Sequence, residues 1–152
     1  MAGWTNRGKY RTIRVALGAT DTPSSFRVFL ITPSTAPTAG TDTLSVIGQI
    51  ADGNGYSTGG YTINRDTTDW DTFTESDTGD RAFAQLKDVV WTASGGAIPS
   101  SGSGARYAVL GNYTSTLAST DIWYYWDLSS ERTVSDGQTL TLQDCEVRVN
   151  ES

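Results

Sequence analysis

Breaks rich in Gly, Ser, Thr, Asp and Pro divide this chain at short, fairly regular intervals, the spacing of a sandwich or barrel of antiparallel strands. Composition agrees. Ser and Thr are abundant, Gly numbers 16, and Lys, Glu and Leu are scarce, which is the usage of sheets and turns. A chain of 152 residues is one domain's worth of polymer, able to bury roughly 70% of its unfolded surface without cross-links. Its one cysteine cannot form an internal disulfide. The expected fold is all-β: a single antiparallel β-sandwich, jelly-roll-like or Ig-like, with long Gly/Ser/Thr-rich loops.

Segment 10–18 alternates Ile13, Val15 and Leu17 against Thr12, Arg14 and Ala16, a strand pattern, although Tyr10, Ile13 and Leu17 also fit a helix. After a break at 20–25, Phe26–Ile31 turns apolar on both faces and reads as a central, doubly covered strand. Leu44, Ile47 and Ile50, spaced by three behind Asp42, suggest one short helix at 42–50. Further strands are expected at 61–65, 70–74, 82–92, 105–113, 121–128 and 138–149. Two of these change phase. Leu140 and Leu142 oppose Cys145, Val147 and Val149, which calls for a β-bulge near Gln143 and Asp144. Ala82, Ala84 and Leu86 give way to Val89 and Trp91 around Lys87-Asp88, which calls for a second bulge or a bend between sheets. The tract 95–104 is a long loop.

The absence of histidine removes Ser-His-Asp and Cys-His catalysis and histidine-ligated metals. Gly55-Tyr56-Ser57-Thr58-Gly59 matches the nucleophile-elbow pattern but has no base and no α/β setting. Neither Lys9 nor Lys87 follows a Ser or Thr at the third position upstream, and no glycine cluster leads into a phosphate-binding helix. The acids Asp66, Asp69, Asp71, Glu75, Asp77 and Asp80 lack both the calcium-loop series and a defined glycosidase pair, so a solvated acidic hairpin is expected, with structural Ca²⁺ as an alternative. Cys145, in phase with Val147 and Val149, reads as a buried small hydrophobe. No catalytic residue, cofactor site or metal site is assigned.

In Ile122-Trp123-Tyr124-Tyr125-Trp126, alternation sends Ile122, Tyr124 and Trp126 to one face and Trp123 and Tyr125 to the other. One set fills the core. For Trp123 and Tyr125 three roles stay open: cover by a second layer, an intersubunit interface, or a sugar-stacking platform.

Charge is unevenly spread. The net charge is -6, yet residues 1–14 hold Arg7, Lys9, Arg11 and Arg14 and no acid. The chain thus divides into a basic N-terminal arm, 1–14, and an acidic sandwich body, 15–152. An acidic body does not suit nucleic acid. A basic arm suits a solvated terminus or docking onto an acidic protein surface, a neighbouring copy's included. The longest apolar run, Val28-Phe29-Leu30-Ile31, is far too short to span a membrane, and no signal peptide is visible. The sequons at Asn112 and Asn150 carry no weight without one.

Several segments carry a resemblance: Gly53-Asn54-Gly55-Tyr56-Ser57-Thr58-Gly59-Gly60-Tyr61, Asp88-Val89-Val90-Trp91-Thr92-Ala93-Ser94-Gly95-Gly96, Ala105-Arg106-Tyr107-Ala108-Val109-Leu110, Trp126-Asp127-Leu128 and Gly137-Gln138-Thr139-Leu140-Thr141-Leu142. Their order resembles small virion structural proteins of tailed bacteriophages, and Asn6-Arg7-Gly8-Lys9-Tyr10-Arg11 is similar to some members' openings. The resemblance implies a non-enzymatic particle protein with no catalytic residues to carry over. The reading it supports is a head decoration, or cement, protein on the phage head exterior, present in the host cytoplasm before assembly. Its partners would be the major capsid protein and further copies of itself, with trimerisation implied by analogy; no nucleic acid or membrane is expected. Trp4, Arg7, Lys9, Tyr10, Arg11 and Arg14 are the expected contact residues. The alternatives are a neck, tail or baseplate component, and a carbohydrate-binding module using the 122–126 aromatics.

Overall fold

The computed structural model describes residues 1–18, 23 and 25–150. The break expected at 20–25 and the sequon at Asn150 lie in part outside these residues. Strands β1 (Gly3–Trp4), β2 (Phe26–Ile31), β3 (Tyr61–Ile63), β7 (Ala105–Asn112) and β8 (Asp121–Arg132) form one antiparallel sheet in the order β1-β8-β7-β2-β3. Strands β4 (Trp70–Ser76), β5 (Arg81–Leu86) and β10 (Glu146–Asn150) form a second, in the order β10-β5-β4, and β6 (Val89–Thr92) pairs with β9 (Thr139–Leu142). All pairings are antiparallel, so the chain is β-rich as the sequence predicts.

The helical content departs from expectation. Residues 10–18 are not a strand: α1 spans Asn6–Ala16 and crosses the expected arm–body boundary. The segment 42–50 forms only a 3₁₀ turn at Leu44–Val46, because Ile47 is already extended. This connector still serves packing: Leu44 N–H donates to Thr120 O at 3.0 Å and Ile50 N–H to Leu30 O at 3.1 Å, laying the loop along the sheet.

β2 is doubly covered, as its sequence requires. Val28 and Leu30 join the main core with Trp91, Leu110, Tyr124, Trp126, Leu140 and Cys145, whereas Phe29 and Ile31 join a second cluster with Leu44, Ile47, Val109, Ile122 and Tyr125. The main core thus holds side chains from all three sheets. The second is closed by the connector.

Both expected phase changes have one cause. Stepping four residues from the Val89–Leu142 pair lands on the Gln85–Glu146 pair with no offset. Residues 81–92 and 139–150 are therefore one long ribbon, kinked on both strands at the same level, Lys87-Asp88 facing Gln143-Asp144. Asp144 adopts φ 53 there, Leu86 N–H donates to Cys145 O at 2.8 Å, and Gln85 Nε2 donates to Asp144 Oδ1 at 2.9 Å. The paired kink turns Leu86 and Cys145 inward below it, and Val89 and Leu142 inward above it.

A bulge that alternation does not reveal lies in β8. Leu110 pairs with Tyr124 but Gly111 pairs with Ile122, leaving Trp123 as the extra residue. Ile122 is thereby shifted onto the face of Tyr125, not that of Tyr124 and Trp126 as expected.

Candidate interaction face

Helix α1 is short for an isolated helix and is held by tertiary contacts. Buried Thr5 caps it, its hydroxyl oxygen accepting from Gly8 N–H at 2.9 Å while the hydroxyl donates to Ile122 O. Thr5 N–H donates to Trp123 O at 3.1 Å and Asn6 N–H to Ala39 O at 2.7 Å, fixing the entry of the helix on the β8 bulge. At the other end Leu17 N–H donates to Ile13 O at 3.0 Å, and Gly18 takes the positive φ, 75°, that closes many helices.

The first turn holds no acid, so Arg7 sits unfavourably at the positive end of the helix. Asp121 offsets this. Its buried carboxylate lies 2.9 Å from Arg11 and 3.8 Å from Arg7, and Asp42 lies 3.7 Å from Arg7. Arg14 stacks on Tyr10, with its Nη1 donating to the Tyr10 hydroxyl at 2.9 Å. Trp4, another expected contact residue, packs edge-on against Tyr124 at 5.5 Å and donates its indole N–H to Arg148 O. The basic segment therefore docks on its own body.

Its apolar residues do the opposite. The half-buried side of α1 is Gly8, Arg11, Thr12 and Val15, while Tyr10, Ile13 (59% exposed) and Leu17 (81%) form a stripe to solvent. Across a mostly apolar groove of about 270 Å³, floored by Trp4 and edged by Lys9, Thr12 and Ile13, stand Val149 and Asn150 of β10.

Val149 continues the surface into the second sheet. It is directly opposite Ala82, which is opposite Glu75; two residues along, Val147 is opposite Ala84, which is opposite Phe73. Cross-strand partners share a face. Leu86 is buried on the core-side part of this face, but Phe73 (62% exposed) and Val149 (55%) are uncovered toward the tip, where Ala82 and Glu75 are also exposed. The tip carries Glu75, Asp77 and Asp80 around the β4–β5 turn, with Arg81 opening β5 beside them. One continuous apolar surface thus has Lys9 at its helix end and Glu75, Asp77 and Asp80 at its strand end.

The aromatic strand is used internally. Trp123 (6% exposed) packs edge-on against Phe26 at 4.9 Å, and Tyr125 (8%) lies in the second core cluster. Both rings are buried within the chain, Trp123 beside Phe26 of the same sheet and Tyr125 with Leu44 and Ile47 of the connector, so neither is presented as a stacking platform. In the elbow-like motif, Tyr56 is buried, accepting from Leu30 N–H at 3.1 Å and donating to Gln49 Oε1 at 2.8 Å, and burial pushes its phenol well above the usual range. Gly55 packs so tightly that a Cβ there would sit 2.1 Å from Thr92 O. Ser57 accepts from Gly59 N–H at 3.1 Å, a turn contact. Among the described residues, no three Cys, Asp or Glu side chains converge as metal ligands, and no helix is long and apolar enough to cross a membrane.

The sequence reading missed Ile13 and Leu17 as surface residues and Phe73 altogether, and it placed Glu75 only in an acidic hairpin and Val149 only in a strand pattern. The signal for the first two was the Tyr10-Ile13-Leu17 spacing behind Thr5. No family model matches the chain, and no curated protein or solved structure matches it either.

Proposed function

We infer that this chain is a non-enzymatic structural protein of a phage particle that decorates the head by bridging major capsid subunits, and that the face built by α1, β10 and the β4–β5 hairpin is an interaction face of the assembled protein. The observation that carries the reading is that continuous exposed apolar surface. A contiguous apolar patch rimmed by charge marks an interaction site. The virion setting rests on the segment order of residues 53–142, which resembles phage structural proteins. Arg7, Arg11 and Trp4 act in this account by building the face, while Lys9, Tyr10, Ile13, Arg14 and Leu17 supply contacts. Binding only the mature shell stabilises that state by mass action, summed over many copies.

Quantitative mass spectrometry of separated heads and tails tests this. Many copies in the head fraction are expected. A few copies in the tail or neck fraction would instead mark a tail fitting, and absence from both would end the virion reading.

A further inference from the structure

We propose that the partner seated on this face is a second copy of the same chain, with the β4 tip of one copy entering the α1–β10 groove of the other. The inference deepens the decoration reading by naming the partner of its contact face.

Four observations lead to a second copy. The groove is apolar and floored by Trp4, and Phe73, a large exposed side chain, projects from the same continuous surface of each copy. The surface is bipolar. Its helix end carries Lys9, its strand end Glu75, Asp77 and Asp80, so two copies laid antiparallel set the basic end of each against the acidic end of the other. Arg7 and Arg11 are already engaged by Asp42 and Asp121, which leaves Lys9, on the groove wall, as the cation best placed for Glu75 of the other copy. Finally, a patch holding both halves of a complementary pair can be reciprocal: what one copy donates, it also receives. The acids at the tip also keep the outer edge of β4 from pairing indiscriminately with other strands.

The test is sedimentation equilibrium of the full chain, with binding to undecorated capsid shells measured in parallel. The wild type should associate reversibly into a closed oligomer. Phe73→Glu and Ile13→Glu, both at exposed positions, should each yield monomer with unchanged circular dichroism. Should either disturb folding, charge reversal decides: Lys9→Glu and Glu75→Lys should each weaken association about tenfold or more, and the two combined in one chain should restore it. A wild type that stays monomeric in solution and on shells overturns the proposal, as does a combined variant no better than the single ones. A wild type that binds shells only as isolated monomers sinks the self-interface and spares the decoration reading. Association without shell binding sustains the self-interface and sinks the decoration reading.

Discussion

Gly8 lies against the backbone of Trp123 so closely that a Cβ on it would sit 2.2 Å from the Trp123 carbonyl oxygen. The helix and the β8 bulge fit only because that position has no side chain. Gly8→Ala gains up to about 1 kcal/mol of intrinsic helix propensity but must separate α1 from β8, an overpacking cost of about 1–3 kcal/mol. Lower stability in urea denaturation and faster amide exchange across residues 6–16 are the expected results. A variant as stable as the wild type would show that α1 docks less tightly than described.

Asp121 joins the helix to the sheet by charge. Asp121→Asn keeps the shape and removes the ion pair with Arg11, leaving a partly buried guanidinium facing a neutral amide. A loss of about 2 kcal/mol is expected from charged hydrogen bonds of this kind. Because the pair is mostly shielded from solvent, high salt should recover little of it. Denaturation at low and high salt reads both effects.

Stability should fall at both ends of the pH scale, for opposite reasons. At Asp127, burial pulls the carboxyl upward, but Ser129 N–H, the N-terminal amine and Arg106 outweigh it and hold the group below the usual carboxylate range. A lowered value in the fold contributes stability above the unfolded value, about pH 4, that is lost as pH falls through the folded one. Asp127→Asn should therefore flatten the acid limb. The raised Tyr56 phenol works in the other direction, contributing stability below about pH 10 that is lost as pH rises further, so Tyr56→Phe should flatten the alkaline limb.

The thiol of Cys145 is buried, and burial, with Asp144 and Asp88 beside it, pushes it up to about 11. The native protein should therefore resist a thiol alkylating reagent at neutral pH. Alkylation followed across a urea titration should track unfolding, and rapid modification of the folded chain would place Cys145 outside the core.

The β architecture was readable wherever a segment had a single pattern. Phe26–Ile31 could be apolar on both faces only if both were covered, and Phe29 and Val28 do face different cores. The first helix was harder because Ile13, Val15 and Leu17 satisfy the period of a strand while Tyr10, Ile13 and Leu17 satisfy that of a helix. Burial would normally arbitrate, but here the helical apolar stripe faces solvent and the docked side is built from Gly8, Arg11, Thr12 and Val15. The Trp123 bulge left no local signal, since it shows only in the register of β8 against β7. Phe73 and Val149 became site residues only through pairing with β5, and register between distant strands is not encoded in spacing.

The long kinked ribbon has a consequence for how the chain acquires its fold. Its two strands, 81–92 and 139–150, bracket everything between them, including β7 and β8, which pair with each other and with β2 and β1. The ribbon can zip without threading only around a segment that has already collapsed, because closing so large an open loop first costs entropy that no contact yet repays. By the same entropy the short-range pairings, β7 on β8 and β4 on β5, precede the ribbon.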